Sequence, residues 1–142
     1  MNRRNILTTV MFVLVVVSAC TAGSPTLAEL DLKPISALPE AMQHAPTTVR
    51  SAYQFAISHP EALENVECYC GCGAVGHTSN LSCYVSSFDA AGAPVMDDHA
   101  MGCSICVDIT QDVMRMTAED RAPAKIREEI IAAYSKFGPP TP

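Results

Sequence analysis

The chain has 142 residues, 15 acidic against 9 basic side chains for a formal charge of −6, and seven cysteines, four histidines and seven methionines with no tryptophan. That length allows one small domain, and an acidic balance with no Lys/Arg-rich run argues against a phosphate-backbone binder. Seven cysteines are too many, and too odd in number, to pass without an account.

Residues 1–19 place Arg3 and Arg4 before an apolar run from Ile6 to Val17, followed by small residues ahead of Cys20. A run of 12 residues is short of the roughly 20 a spanning helix needs, and the plan is that of a secretory signal peptide. The segment Val17-Ser18-Ala19-Cys20 resembles the cleavage site of bacterial lipoproteins. The resemblance implies that Cys20 becomes the first residue of the mature chain and carries a diacylglyceryl group. The odd cysteine is then an anchor. Losing Arg3 and Arg4 takes the formal charge from −6 to −8, so membrane attachment rests on the Cys20 lipid and not on a basic patch. The expected location is extracytoplasmic, lipid-anchored to the bacterial membrane.

Residues 20–45, with Pro25, Pro34 and Pro39 and no sustained period, read as the lipidated cysteine and a flexible tether. A domain is expected over 46–138, with a short tail at 139–142. From Thr47, Val49, Ala52, Tyr53, Ala56 and Ile57 follow a one-faced helical spacing that stops before Pro60. Residues 61–78 lose that signal and are broken by Gly71, Gly73 and Gly76. A second, short helix is expected after Ser79 or Asn80, with a stripe of Leu81, Tyr84, Val85 and Phe88. Cys83 would then point about 200° away from Leu81, off the core face. Residues 89–101 read as a second loop. A third helix from about Gly102 turns Cys106, Ile109, Val113 and Met116 inward; a fourth from Pro123 turns in Ile126, Ile130, Ala133, Tyr134 and Phe137 and ends at Gly138. No segment shows strand alternation. The expected fold class is mainly α: a small four-helix domain with two Gly-rich loops bearing cysteine and histidine, preceded by a flexible tether. Roughly 95 residues give only a modest core, which gains from staples.

The six remaining cysteines fall as Cys68-x-Cys70-x-Cys72, then Cys83, then Cys103-x-x-Cys106, with His77 and His99 flanking them. Outside the cytoplasm three disulfides are one reading, although bridges within Cys68–Cys72 would be strained. A soft-metal site is the other. A straight strand would space the three sulfurs by about 6.6 Å, too far for one ion with bonds near 2.3 Å; Gly71 and Gly73 suggest that the segment curls around an ion or lines a cluster of ions. Cys103 and Cys106 at a helix start would share a face, with Cys103 stabilised as thiolate by the helix N-terminus. The candidate ligands are Cys68, Cys70, Cys72, Cys83, Cys103, Cys106, His77 and His99, with Met96 and Met101 as added thioethers. The alternative for His77 and His99 is a hydrogen-bonded or capping role in the loops. Asp97, Asp98 and Asp108 could orient imidazoles, His44 and His59 read as surface residues, and Met114 and Met116 as packing. A surplus of thiolates favours Cu(I) first and Zn(II) second, since zinc would use only four ligands.

The stretch Cys68-Tyr69-Cys70-Gly71-Cys72-Gly73, with Gly76-His77, Asn80-Leu81, Cys83-Tyr84, Asp97-Asp98-His99 and Cys103-x-x-Cys106, resembles a family of bacterial lipoproteins named for a Pro-Cys-Tyr-Cys-Gly-Cys motif. Glu67 stands where that motif has proline. The resemblance spans about residues 50–137 and implies a lipoprotein whose cysteines and histidines act as a unit, without naming a reaction. The function expected is a membrane-tethered metal-binding protein for Cu(I), a chaperone, scavenger or buffer, with a metal donor or acceptor protein as partner. The alternatives are a thiol-disulfide redox protein working through Cys103 and Cys106, and a disulfide-stapled interaction domain. Hydrolase chemistry has no support, and no catalytic residue is assigned.

Overall fold

A computed structural model describes residues 30–142; the expected signal peptide, Cys20 and the first part of the tether lie outside them. The fold is mainly helical, with three substantial helices and a set of short turns. After a 3-10 turn at Ile35–Ala37 come α1 (Glu40–Gln43), α2 (Thr47–Ser58) and α3 (Pro60–Glu64). Further 3-10 turns span Cys72–Val75, Leu81–Cys83 and His99–Met101, and a hairpin of β1 (Val85–Phe88) and β2 (Pro94–Met96) lies between the last two. The long helices α4 (Ser104–Ala118) and α5 (Pro123–Tyr134) complete the chain. Among the described residues no helix is long and apolar enough to cross a membrane.

Prolines set the boundaries. Pro46 precedes α2 with an extended backbone, and Pro60 and Pro123 open α3 and α5, where a missing N–H costs nothing. Helix α4 is the hub, packed against α2, α3 and α5. It buries Cys106, Val107, Ile109, Thr110, Val113, Met114 and Met116, against which α2 sets Tyr53, Phe55 and Ala56 and α5 sets Ile126 and Ile130.

Four expectations change. The tether does not reach residue 45 as a free segment: Leu30, Leu38, Met42 and Ala45 are buried, so 30–45 is part of the packed body. The second helix is absent. Leu81–Cys83 is a single 3-10 turn, and Val85 onward is a strand, antiparallel to β2 with Val85 opposite Met96 and Phe88 opposite Pro94. The hairpin is closed by Asp89, whose carboxylate accepts N–H bonds from Ala91 and Ala93 at 2.8 Å. Helix α5 ends at Tyr134, so Phe137 lies beyond it; Ala133 and Phe137 face solvent, and Ile126 and Ile130 are the buried residues of the helix. The tail is pinned, with Thr141 97% buried by its 3% exposure.

Candidate metal centre

The centre forms where the segment after α3, the turn after it, the end of the hairpin and the first turn of α4 meet. Val66 accepts the Asn80 N–H at 2.7 Å, which ties the start of the cysteine segment to the turn carrying Cys83. On its other side lies the C-terminal tail. Cys68 N–H donates to Thr141 Oγ1 at 3.0 Å, and Thr141 N–H donates back to the Cys68 carbonyl at 2.9 Å. The tail can lie this close because Gly138 has no side chain: a Cβ there would stand 2.8 Å from the Tyr69 carbonyl oxygen. Gly71 then takes φ of +83°, a left-handed conformation that glycine adopts without strain, and turns the chain back so that Cys72 faces inward. Glu67, at the motif's proline position, pairs with Arg127 of α5.

The curl brings the sulfurs together. Cys68 Sγ lies 3.4 Å from Cys70 Sγ and 3.3 Å from Cys106 Sγ; Cys70 is 3.5 Å from Cys106, and Cys72 is 3.6 Å from Cys83. Four thiolates bound to one tetrahedral ion at about 2.3 Å sit about 3.8 Å apart, so these spacings suit a shared cation after small adjustment. Among the described residues all six cysteines are free. Cys70 Sγ is 3.7 Å from His99 Nε2, and the His77 and His99 rings meet edge to face at 4.8 Å. Three groups of four have donor atoms mutually within 4.8 Å: Cys68, Cys72, Cys83 and Cys106; Cys70, Cys72, His99 and Cys106; and Cys72, His77, Cys83 and His99.

Buried polarity holds this geometry. The Cys106 carbonyl accepts from Tyr84 Oη at 2.9 Å and Asn80 Nδ2 at 3.3 Å, with Thr110 Oγ1 3.1 Å away. Thr110 also bonds Asn80 Oδ1 at 2.7 Å and Tyr84 Oη at 2.8 Å, and all three side chains are buried. Such a closed network fixes the first turn of α4 against the turn that carries Cys83. On the histidine side, Tyr53 Oη donates to the Asp97 carbonyl at 2.9 Å. The Asp97 carboxylate accepts the His99 N–H at 2.8 Å and stands 3.7 Å from His77 Nε2. The other ring nitrogen, His77 Nδ1, is buried with no hydrogen-bond partner among the described residues. A carboxylate behind one nitrogen and nothing on the other is the arrangement of a ligating imidazole.

The thiols titrate as a unit. Cys68 is held well below the ordinary thiol range by thiol bonds from Cys106 and Cys83, against the effect of burial. Cys106 is pushed far up by its bonds to Cys68 and Cys83 and by burial; Cys70 and Cys72 rise chiefly through burial. Cys83 is drawn down by Cys106 but raised on balance by its bond to Cys68 and by burial. Burial and mutual repulsion both oppose a second thiolate beside the first when no cation is there to offset the charge. A cation bound here would replace those protons, and the cysteine and histidine donors fit one.

Of the ten candidate donors, the three groups unite Cys68, Cys70, Cys72, Cys83, Cys106, His77 and His99. Cys103 belongs to none of them. It is the N-cap of α4 with an extended backbone (φ −119°, ψ 101°), so it does not share a helical face with Cys106, and it borders a surface groove of about 330 Å³ together with Met101. Met96 sits in β2 opposite Val85, and Met101 is exposed. Cys83 is fully buried, because the turn that replaces the expected helix points it inward. His44 is exposed, and His59 lies beside Phe55 away from the thiols. Thr110 and Thr141 are supports that no local pattern marks; Asn80 and Tyr84 belong to the quoted motif, without any sign there of their partner.

A family model described as a protein of unknown function with PCYCGC motif matches residues 24–142. No curated protein and no solved structure matches the chain.

Proposed function

The chain belongs to the PCYCGC-motif family, and we propose that it is a lipid-anchored, extracytoplasmic metal-binding protein that takes Cu(I), serving as a chaperone, scavenger or buffer. The observation that carries the reading is the gathering of five thiols and two imidazoles into three overlapping four-donor groups, with His77 Nδ1 left for a ligand to satisfy. Cu(I) is favoured because soft thiolates outnumber the four donors that Zn(II) uses. Zn(II) is the second reading, since both the four-cysteine group and the Cys72, His77, Cys83, His99 group have zinc-type compositions. Cys68, Cys72, Cys83 and Cys106 would hold the ion, and Cys70 and His99, both half-buried, stand where it would enter. The lipid anchor at Cys20 would keep this centre beside the membrane, within reach of a metal donor or acceptor protein.

The test is anaerobic purification of the full chain in detergent, with metal quantification and thiol titration before and after chelation. Bound copper whose removal exposes reactive thiols is expected. Absence of metal together with three disulfides overturns the metal reading, and zinc that Cu(I) fails to displace overturns the copper assignment alone. In the same preparation, Cys20→Ser is expected to move the protein from the membrane fraction to the soluble one; retention in the membrane would overturn the lipid anchor.

A further inference from the structure

We infer that the centre holds two ions side by side, bridged by the sulfurs of Cys72 and Cys83, an inference that rests on the metal-binding reading and concerns how many ions it takes. The all-thiol group and the two-histidine group share Cys72 and Cys83 and differ in their outer donors, Cys68 and Cys106 on one side and His77 and His99 on the other. The shared sulfurs are 3.6 Å apart. They therefore form the common edge of two four-donor sites.

One four-coordinate ion satisfies only one side of that edge. Placed among the four thiols, it leaves His77 Nδ1 buried and without a hydrogen-bond partner among the described residues, the Asp97 carboxylate standing 3.7 Å from the opposite ring nitrogen. Placed between the histidines and the shared sulfurs, it leaves Cys68 and Cys106, both fully buried, 3.3 Å apart and without a cation. Two ions give every one of these donors a partner. Bridging suits thiolate because sulfur carries more than one lone pair, whereas each imidazole nitrogen carries a single one. The histidines accordingly fall at one end and the shared positions are cysteines. A second cation also cancels a further negative charge among four buried thiolates, which a low-dielectric site strongly favours. Cys70, half-buried and 3.7 Å from His99, forms the third group with Cys72, His99 and Cys106, which takes donors from both sites and so places Cys70 between them.

The experiment titrates the full chain in detergent, anaerobically, with Cu(I) presented by a chromophoric competitor, and counts bound ions by native mass spectrometry. Saturation at two ions per chain is expected. X-ray absorption should show a metal–metal path of about 2.9 Å, the separation that follows from bridging sulfurs 3.6 Å apart and metal–sulfur bonds near 2.3 Å. The double variant His77→Asn/His99→Asn should halve the stoichiometry to one ion and lose the metal–metal path, with near-ultraviolet circular dichroism reporting that the fold is kept. Saturation of the wild type at one ion overturns the inference and leaves metal binding standing. Two ions without a short metal–metal path overturn the bridge, and no bound ion overturns the reading beneath it.

Discussion

The two ends of α4 belong to different kinds of structure. Its middle and C-terminal part, from Ile109 to Met116, is closed by ordinary apolar packing against α2 and α5. Its first turn, at Cys106, is closed by thiols, a carbonyl bonded by Tyr84 and Asn80, and two histidines contributed from loops. The first region is stabilised mainly by apolar burial, with hydrogen bonds from Gln111 to α2 and from Tyr134 to Asp112 at its edges. The second concentrates sulfur and imidazole where burial works against charge, so its stability depends on what replaces the thiol protons. On the proposed reading the helical half is the scaffold, and a bound cation would complete the loop half.

The largest expected effect tests that division directly. A cation that binds only the folded chain stabilises it by RT ln(1 + [L]/Kd), about 4 kcal/mol at 1,000 times Kd. Hydrogen exchange with and without Cu(I) should show added protection at 66–83 and 97–106 and little change across the second half of α4. Equal protection throughout would break the comparison. In the scaffold, Ile109→Ala removes a fully buried side chain and should cost about 3 kcal/mol in denaturant unfolding, by the same amount with and without metal and with metal stoichiometry kept. A loss of metal from this variant would show that the two regions are not separable.

A smaller effect is expected at the close approach of the tail. Gly138→Ala puts a Cβ at 2.8 Å from the Tyr69 carbonyl, a contact with backbone that must be relieved by moving the tail. A cost of about 2 kcal/mol is expected, accompanied by weaker metal retention, because the tail holds Cys68. Unfolding unchanged within error would mean that the tail is only resting there.

The scaffold was far more legible in the sequence than the centre, and for a physical reason. Helices α2, α4 and α5 announce themselves through spacing at three and four residues and through Pro46, Pro60 and Pro123, all of which act locally. The segment from Leu81 to Phe88 fits a helical stripe as well as it fits a turn and a strand, and it is too short for periodicity to choose. The turn at Asp89 and the pairing with β2 decide it. Cys103 and Cys106 would share a face only if both were helical, and the extended backbone at Cys103 removes that condition. The curl of Cys68 to Cys72 was foreshadowed by Gly71, because φ of +83° is a property that glycine alone advertises. Buried Leu30, Leu38 and Met42 lay hidden in a proline-spaced stretch whose apolar residues follow no regular period.

Thr141 is the supporting contact that no local pattern could reveal, 73 residues from the cysteine whose backbone it clamps. Thr141→Val keeps the volume and the backbone N–H that donates to the Cys68 carbonyl, and removes only the hydroxyl that accepts the Cys68 N–H. The lost bond and the orphaned N–H together should cost about 1 kcal/mol or slightly more. If the loop half takes its shape from the tail, that cost should appear mainly as faster metal loss to a competing chelator and faster exchange at Cys68, with the unfolding midpoint of the metal-free scaffold hardly moved. If the midpoint falls and metal retention does not, the tail serves the scaffold instead, and the boundary between the two regions runs through Cys68 and not beyond it.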